Sequence, residues 1–158
     1  MPIEHKRVLF DIFTSGQLKY KFNDGTLVTS PKAILFTQPI DIDGHVSEQK
    51  KISLYNDIIK HLEHTYTIVI KPHPRESTRY NHFRNVLVLD HLMPSELLTC
   101  SHSLNWDVGV TLYSTALINC TNVRKKIFLC NMDAIFDGHT SPRAEIYRCL
   151  NERGCIRS

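Results

Sequence analysis

The densest piece of chemistry in this sequence is the hexapeptide Lys71-Pro72-His73-Pro74-Arg75-Glu76. Prolines on both sides of His73 restrict the backbone and so lower the entropy cost of presenting one imidazole in one place. Lys71 and Arg75 flank it with positive charge. Such a site suits an anion, above all a phosphate that gains negative charge as it leaves. The same residues also read as a strand-terminating turn with an exposed histidine, and residue types alone leave both readings open.

Ser114-Thr115 is a second candidate, at a strand-to-helix junction where two hydroxyls and the free N–H groups of a helix start suit a phosphate. The alternative is a capping pair with a structural role only. Asp41, Asp43 and His45 fall in a polar loop, Asp41-Ile42-Asp43-Gly44-His45, rich in turn formers. A carboxylate there that faced His73 could act as a general base while His73 handles the leaving group. A plain Asp-Gly turn is the other reading. Glu96 opens a short helix, where it either compensates the dipole or binds a ribose. His61 and His64 have a spacing seen in zinc sites, but no third ligand stands nearby, and both are expected to be solvated. No metal site is expected.

The elements that must position these groups follow from hydrophobic periodicity. Residues 33–37 form a short apolar run, read as a buried strand that Gln38-Pro39 ends. Ser47 is placed to cap a helix reaching about Leu62, with Ile52, Tyr55, Ile58, Ile59 and Leu62 on one face. Residues 66–70 are dense in β-branched side chains and form the clearest strand. Further strands are expected at 86–89, 107–112 and 126–129, with a short helix from Pro94 to about Cys100 and another over 116–120. Residues 8–13 read as a possible strand, Asn23-Asp24-Gly25 as a turn, and 141–153 as a C-terminal helix. Strands alternating with helices through short connections predict an α/β fold, a Rossmann-like, mainly parallel sheet with flanking helices. Ligands of such sheets sit beyond the carboxyl ends of the strands. The segments 38–45, 71–76 and 113–115 all lie there.

Composition excludes several classes. The chain has 158 residues, 42% hydrophobic and 22% charged, which is globular rather than fibrous or disordered. No apolar run approaches the ~20 residues of a membrane-spanning helix, and no secretory signal is evident. Its 19 basic and 16 acidic residues leave a net charge of +3 with no Lys/Arg block, so a nucleic-acid partner is not expected. Cys100, Cys120, Cys130, Cys149 and Cys155 form no Cys-x-x-Cys pair, which fits a reduced, cytoplasmic setting. A Gly-x-Gly-x-x-Gly fingerprint, a Walker loop and a Gly-x-Ser-x-Gly elbow are all missing.

Thr37-Gln38-Pro39, Asp43-Gly44, the segment 70–76, Pro94-Ser95-Glu96-Leu97-Leu98 and Leu112-Tyr113-Ser114-Thr115 together resemble the bacterial lipooligosaccharide sialyltransferases of glycosyltransferase family 52 and, more distantly, the polysialyltransferases. The shared signatures are an acidic pair followed by Gly, a His-Pro pair and a Ser-Ser or Ser-Thr pair. His73-Pro74 and Ser114-Thr115 match. Ile42-Asp43-Gly44 has one acid where two are usual, with Asp41 close by. The resemblance covers residues 33 to 130 and implies the C-terminal, donor-binding lobe of a two-lobed GT-B enzyme. Residues 1–30 would then be an N-terminal or interlobe segment and 31–158 the nucleotide-sugar-binding lobe.

The resemblance also implies CMP-sialic acid as donor, a terminal galactose of a lipooligosaccharide or capsular glycan as acceptor, and no required metal or cofactor. Asp43 (or Asp41) would be the base and His73 the group at the leaving phosphate. Lys71, His73, Pro74, Arg75, Ser114 and Thr115 would bind CMP, with Glu96 at the ribose. The acceptor would bring the enzyme to the periphery of the inner membrane. Because a two-lobed enzyme needs about two domains of 100–200 residues each, the acceptor lobe is expected from a second copy, another chain or a part absent here. Two rival expectations are a GT-B transferase using another nucleotide-sugar and a non-catalytic CMP-binding or partner-docking module.

Overall fold

The computed structural model describes residues 31–80, 83, 86–99 and 105–129, together with 4–5, 8–9 and 12. Strand β1 (Lys32–Phe36) leads through helix α1 (Glu48–Leu62) to β2 (Thr67–Lys71). β3 (Val86–Val88) follows, then a 3-10 helix (Ser95–Thr99), β4 (Trp106–Thr111), the short helix α2 (Thr115–Asn119) and β5 (Val123–Phe128). The strands form one sheet in the order β3-β2-β1-β4-β5, and every pairing is parallel. This is the α/β, Rossmann-like arrangement that the alternating pattern predicts. The described strands end on one edge, and the order reverses between β1 and β4, where ligands of such sheets bind.

The continuous apolar character of β1 follows from its burial on both faces. Ala33 and Leu35 pack with Tyr55, Ile58, Ile59 and Leu62 of α1, whereas Ile34 and Phe36 join Leu97, Leu98 and Leu117 on the opposite face. Helix α1 starts where Ser47 Oγ accepts from Lys50 N at 3.3 Å, with Glu48 in its first turn and Lys60 and His61 in its last, charges that complement its dipole. α2 lies so close to the sheet that a Cβ on Gly109 would come within 2.4 Å of Leu117 Cδ1 and 2.9 Å of Val123 Cγ1. Among the described residues no helix is long and apolar enough to cross a membrane.

The short helix expected after Pro94 is present and is of the 3-10 kind. Two local expectations change. β5 begins at Val123, three residues early, because Arg124 and Lys125 are exposed in an edge strand, where charge discourages pairing with other chains. Val8, Leu9 and Ile12 are helical rather than extended. Their i, i+1, i+4 spacing is helical, and Leu9 packs on the sheet face opposite α1 while Val8 and Ile12 are exposed. The turn at 23–25, the helix at 141–153, and Cys100, Cys130, Cys149 and Cys155 lie outside the described residues. Cys120 is a free, buried thiol that desolvation pushes up to about 11.

Candidate functional site

Register places the candidate residues at one level. Phe36 pairs with both Lys71 and Thr111. His73 therefore lies two residues beyond the end of β2, and Ser114 three beyond the end of β4, with the Thr37-Gln38-Pro39 turn of β1 between them. Two strand spacings separate the two loops, about 10 Å between backbones, a gap that side chains and a phosphoryl group can fill. Sequence reasoning expected one shared edge for these segments, and the strand order provides it.

The loop after β2 is held by Glu76. Its Oε2 accepts from Thr37 Oγ1 and from His73 N, the latter at 2.8 Å. Its Oε1 accepts from Tyr80 OH at 2.9 Å and sits 3.0 Å from Lys51 Nζ, with both charged side chains fully buried. Lys51 Nζ also donates to Asp41 Oδ1 at 2.6 Å. Desolvation raises the Asp41 pKa, but the Lys51 hydrogen bond and charge outweigh it and leave the carboxyl below its ordinary value. Asp41 is thus committed to a structural ion pair.

His73 is half-buried, and Arg75 N donates to its Nδ1 at 3.2 Å. A backbone N–H can only donate, so Nδ1 is the acceptor and the neutral ring carries its proton on Nε2. Burial lowers the His73 pKa; Glu76 opposes that shift, and Arg75 and Lys71 reinforce it. At neutral pH the group is an uncharged imidazole with one N–H to offer.

Arg75 Nη2 contacts Asp43 Oδ1 at 2.9 Å and Oδ2 at 3.1 Å. The pair joins the loops after β1 and β2 in an exposed setting, where ion pairs contribute about 0–1 kcal/mol and exchange readily. Gly44, next to Asp43, has φ +78°, a conformation that favours glycine and lets the turn close. Lys71 is deeper than its expected contact with donor implies. It is only 3% exposed, and its ammonium donates to Pro72 O at 2.5 Å and His91 O at 3.1 Å. Desolvation lowers its pKa to about 8. Pro74 is exposed.

On the other side of β1, Thr111 Oγ1 donates to Phe36 O at 3.1 Å and accepts from Ser114 N at 3.1 Å. Ser114 caps α2, its Oγ accepting from Ala116 N at 3.2 Å, which leaves the hydroxyl hydrogen for a ligand. Thr115 is exposed beside it. Glu96 is exposed in the first turn of the 3-10 helix. That segment crosses the sheet face opposite α1, where Leu97 and Leu98 pack with Ile34 and Phe36 of β1 and Leu117 of α2, so Glu96 lies on the side of the β1/β4 divide.

Lys51, Tyr80 and Thr111 escaped the sequence reading, and Thr37 entered it by name only within the Thr37-Gln38-Pro39 resemblance. One signal was present: Lys51 falls on the apolar stripe of α1, four residues before Tyr55, where a buried ammonium needs a counter-charge. Tyr55 itself donates no clue in sequence, yet its hydroxyl receives the Gln38 N–H at 2.7 Å.

Comparison with known proteins assigns a family. The family model described as Glycosyltransferase family 52 matches residues 3–132. An uncharacterized protein of Haemophilus influenzae is 45% identical over 84 residues, which cover 52% of this chain and 27% of that protein. The match thus spans about a quarter of the relative's length. No solved structure matches the chain.

Proposed function

Because the chain belongs to glycosyltransferase family 52, we propose that the β1/β4 edge holds the CMP portion of CMP-sialic acid and that the chain serves transfer of sialic acid to a terminal galactose of a lipooligosaccharide or capsular glycan. The observation that carries this reading is the fixed Nε2–H state of His73, implied by the Arg75 N–H to Nδ1 contact, on the same edge as Ser114 and Thr115. A neutral imidazole with one outward N–H is suited to a phosphate oxygen that becomes more basic as its bond to carbon breaks.

In this mechanism the acceptor hydroxyl oxygen attacks the anomeric carbon of sialic acid from the face opposite CMP. The bond from that carbon to the phosphate oxygen breaks, its electron pair leaves with CMP, and configuration inverts. Asp43 takes the proton of the acceptor hydroxyl. His73 Nε2–H donates to the departing phosphate, while Ser114 and Thr115 hydroxyls hold its other oxygens. Arg75 must first exchange Asp43 for the donor, which frees the carboxylate and puts the guanidinium on the phosphate. Lys71 supports the site from below: its positive charge lies under the loop while its hydrogen bonds brace Pro72 and His91. Glu96 is the candidate ribose contact. On this reading the chain works in the cytoplasm, at the periphery of the inner membrane when its acceptor is lipid-anchored, and the acceptor-binding part comes from a partner lobe or a second copy.

One observation favours a second reading. Asp43 is paired with Arg75, as it would be in a module that binds CMP without a free base. Thermal shift with CMP, UDP and GDP distinguishes the donors, because a ligand that binds the native state raises its melting point. Sialic acid transfer from CMP-sialic acid, with an acceptor lobe added, distinguishes an enzyme from a binding module. A shift with UDP but not CMP would replace the sialyl donor with a UDP-sugar.

A further inference from the structure

The carboxylate of Glu76 has about four lone-pair sites, and all four are taken. Oε2 serves Thr37 Oγ1 and His73 N, and Oε1 serves Tyr80 OH and Lys51 Nζ. A saturated, fully buried carboxylate has no capacity left to accept a proton from substrate or to bind donor. Its partners come from four places: the end of β1, helix α1, the His73 loop and the segment that follows that loop. Glu76 N also donates to His73 O at 3.0 Å, so one residue holds both backbone polar groups of His73. With the backbone held there, Arg75 N reaches Nδ1 and selects the tautomer.

We propose that Glu76 is a positioning residue for His73, fixing both the place and the tautomer of the imidazole, with Lys51 as its counter-charge on α1. The functional importance of that tautomer rests on the reading of His73 as the donor to the leaving phosphate. The positioning itself can be measured without any substrate.

The charges around the imidazole define the readout. Glu76 and Asp43 favour its protonation; burial, Arg75 and Lys71 oppose it. Lys51 faces Glu76 from α1, and Asp41 faces Lys51 from the loop after β1. Removing the Glu76 charge therefore moves the His73 titration to lower pH. That shift reports the charge alone; the positioning is reported by the tautomer, which a purely structural Glu76 would leave unchanged in a folded variant.

The test is NMR titration of the imidazole-labelled chain, comparing wild type with Glu76→Gln and with the double variant Lys51→Met/Glu76→Gln. In the single variant Lys51 Nζ keeps Asp41 Oδ1 at 2.6 Å as its counter-charge, and the double variant removes the buried ammonium as well, leaving only the partly exposed Asp41 without its partner. The expected result is a lower His73 midpoint and a ring that no longer shows Nδ1 as sole acceptor, with CMP affinity down about tenfold. A folded variant that keeps Nδ1 as the acceptor overturns the proposal, whatever its midpoint. If wild type fails to bind CMP, the CMP-sialic acid reading falls, and the His73 tautomer still decides the role of Glu76.

Discussion

Lys51 and Glu76 meet 3.0 Å apart with neither side chain exposed, and this pair ties helix α1 to the loop that carries His73. A charge buried this way costs several kcal/mol in desolvation, which only a good partner offsets. Lys51→Met is expected to destabilise the chain by about 3–5 kcal/mol by leaving the buried Glu76 carboxylate without its counter-charge. Lys51→Met combined with Glu76→Gln is expected to recover most of that loss. Urea unfolding of the single and double variants gives the coupling energy. Additive effects would contradict a direct pair.

Lys71 makes stability depend on alkaline pH. Its folded pKa, lowered by desolvation to about 8, lies below the ordinary lysine value of 10.5. Between those values the unfolded chain binds more protons than the native one, so stability rises with pH across about 8 to 10.5 and the penalty of burying the ammonium is full below pH 8. Lys71→Met is expected to abolish that rise. Urea midpoints at pH 7 and pH 10 for both proteins check it, and parallel pH profiles would refute it.

Gly109 reports on how closely α2 approaches the sheet. Gly109→Ala introduces a methyl where Leu117 Cδ1 and Val123 Cγ1 already lie within 2.4 and 2.9 Å. The expected loss is about 1–3 kcal/mol, typical of an overpacked core. Leu117→Ala in the same chain is expected to remove part of the penalty, and denaturant unfolding of the four-protein cycle measures it.

Arg75 and Asp43 separate binding from folding. Their pair is exposed, so Arg75→Ala should change stability by less than about 1 kcal/mol. The same substitution removes a guanidinium from the proposed phosphate site, and CMP affinity should fall about tenfold. Calorimetric titration beside a melting curve tests both halves. Unchanged CMP affinity would take Arg75 out of the site.

The legibility of this fold follows from where each signal lay. β2 could be read because Thr67, Ile68, Val69 and Ile70 are β-branched and end at Pro72, and α1 because Ser47 precedes a regular apolar stripe. The first half of β5 was hidden behind Arg124 and Lys125, which suit an exposed edge but not a core strand. His73 and Ser114 could be recognised locally, because proline clamps and capping hydroxyls act over a few residues. The Glu76 network could not. Thr37 and Glu76 are 39 positions apart, and only the pairing of β1 with β2 brings them together. Lys71 illustrates the converse: its charge suggests an anion, while the end of a central strand buries it against two carbonyls.

The central claim is that His73 and the Ser114-Thr115 pair hold one cytidine phosphate across β1. Calorimetric titration of CMP, with UDP alongside, into wild type and His73→Ala tests it most directly. The account predicts that CMP binds more tightly than UDP and that His73→Ala weakens CMP about 10–100-fold through loss of a hydrogen bond to a charged group, with the melting curve preserved. Equal CMP affinity in the two proteins would contradict it.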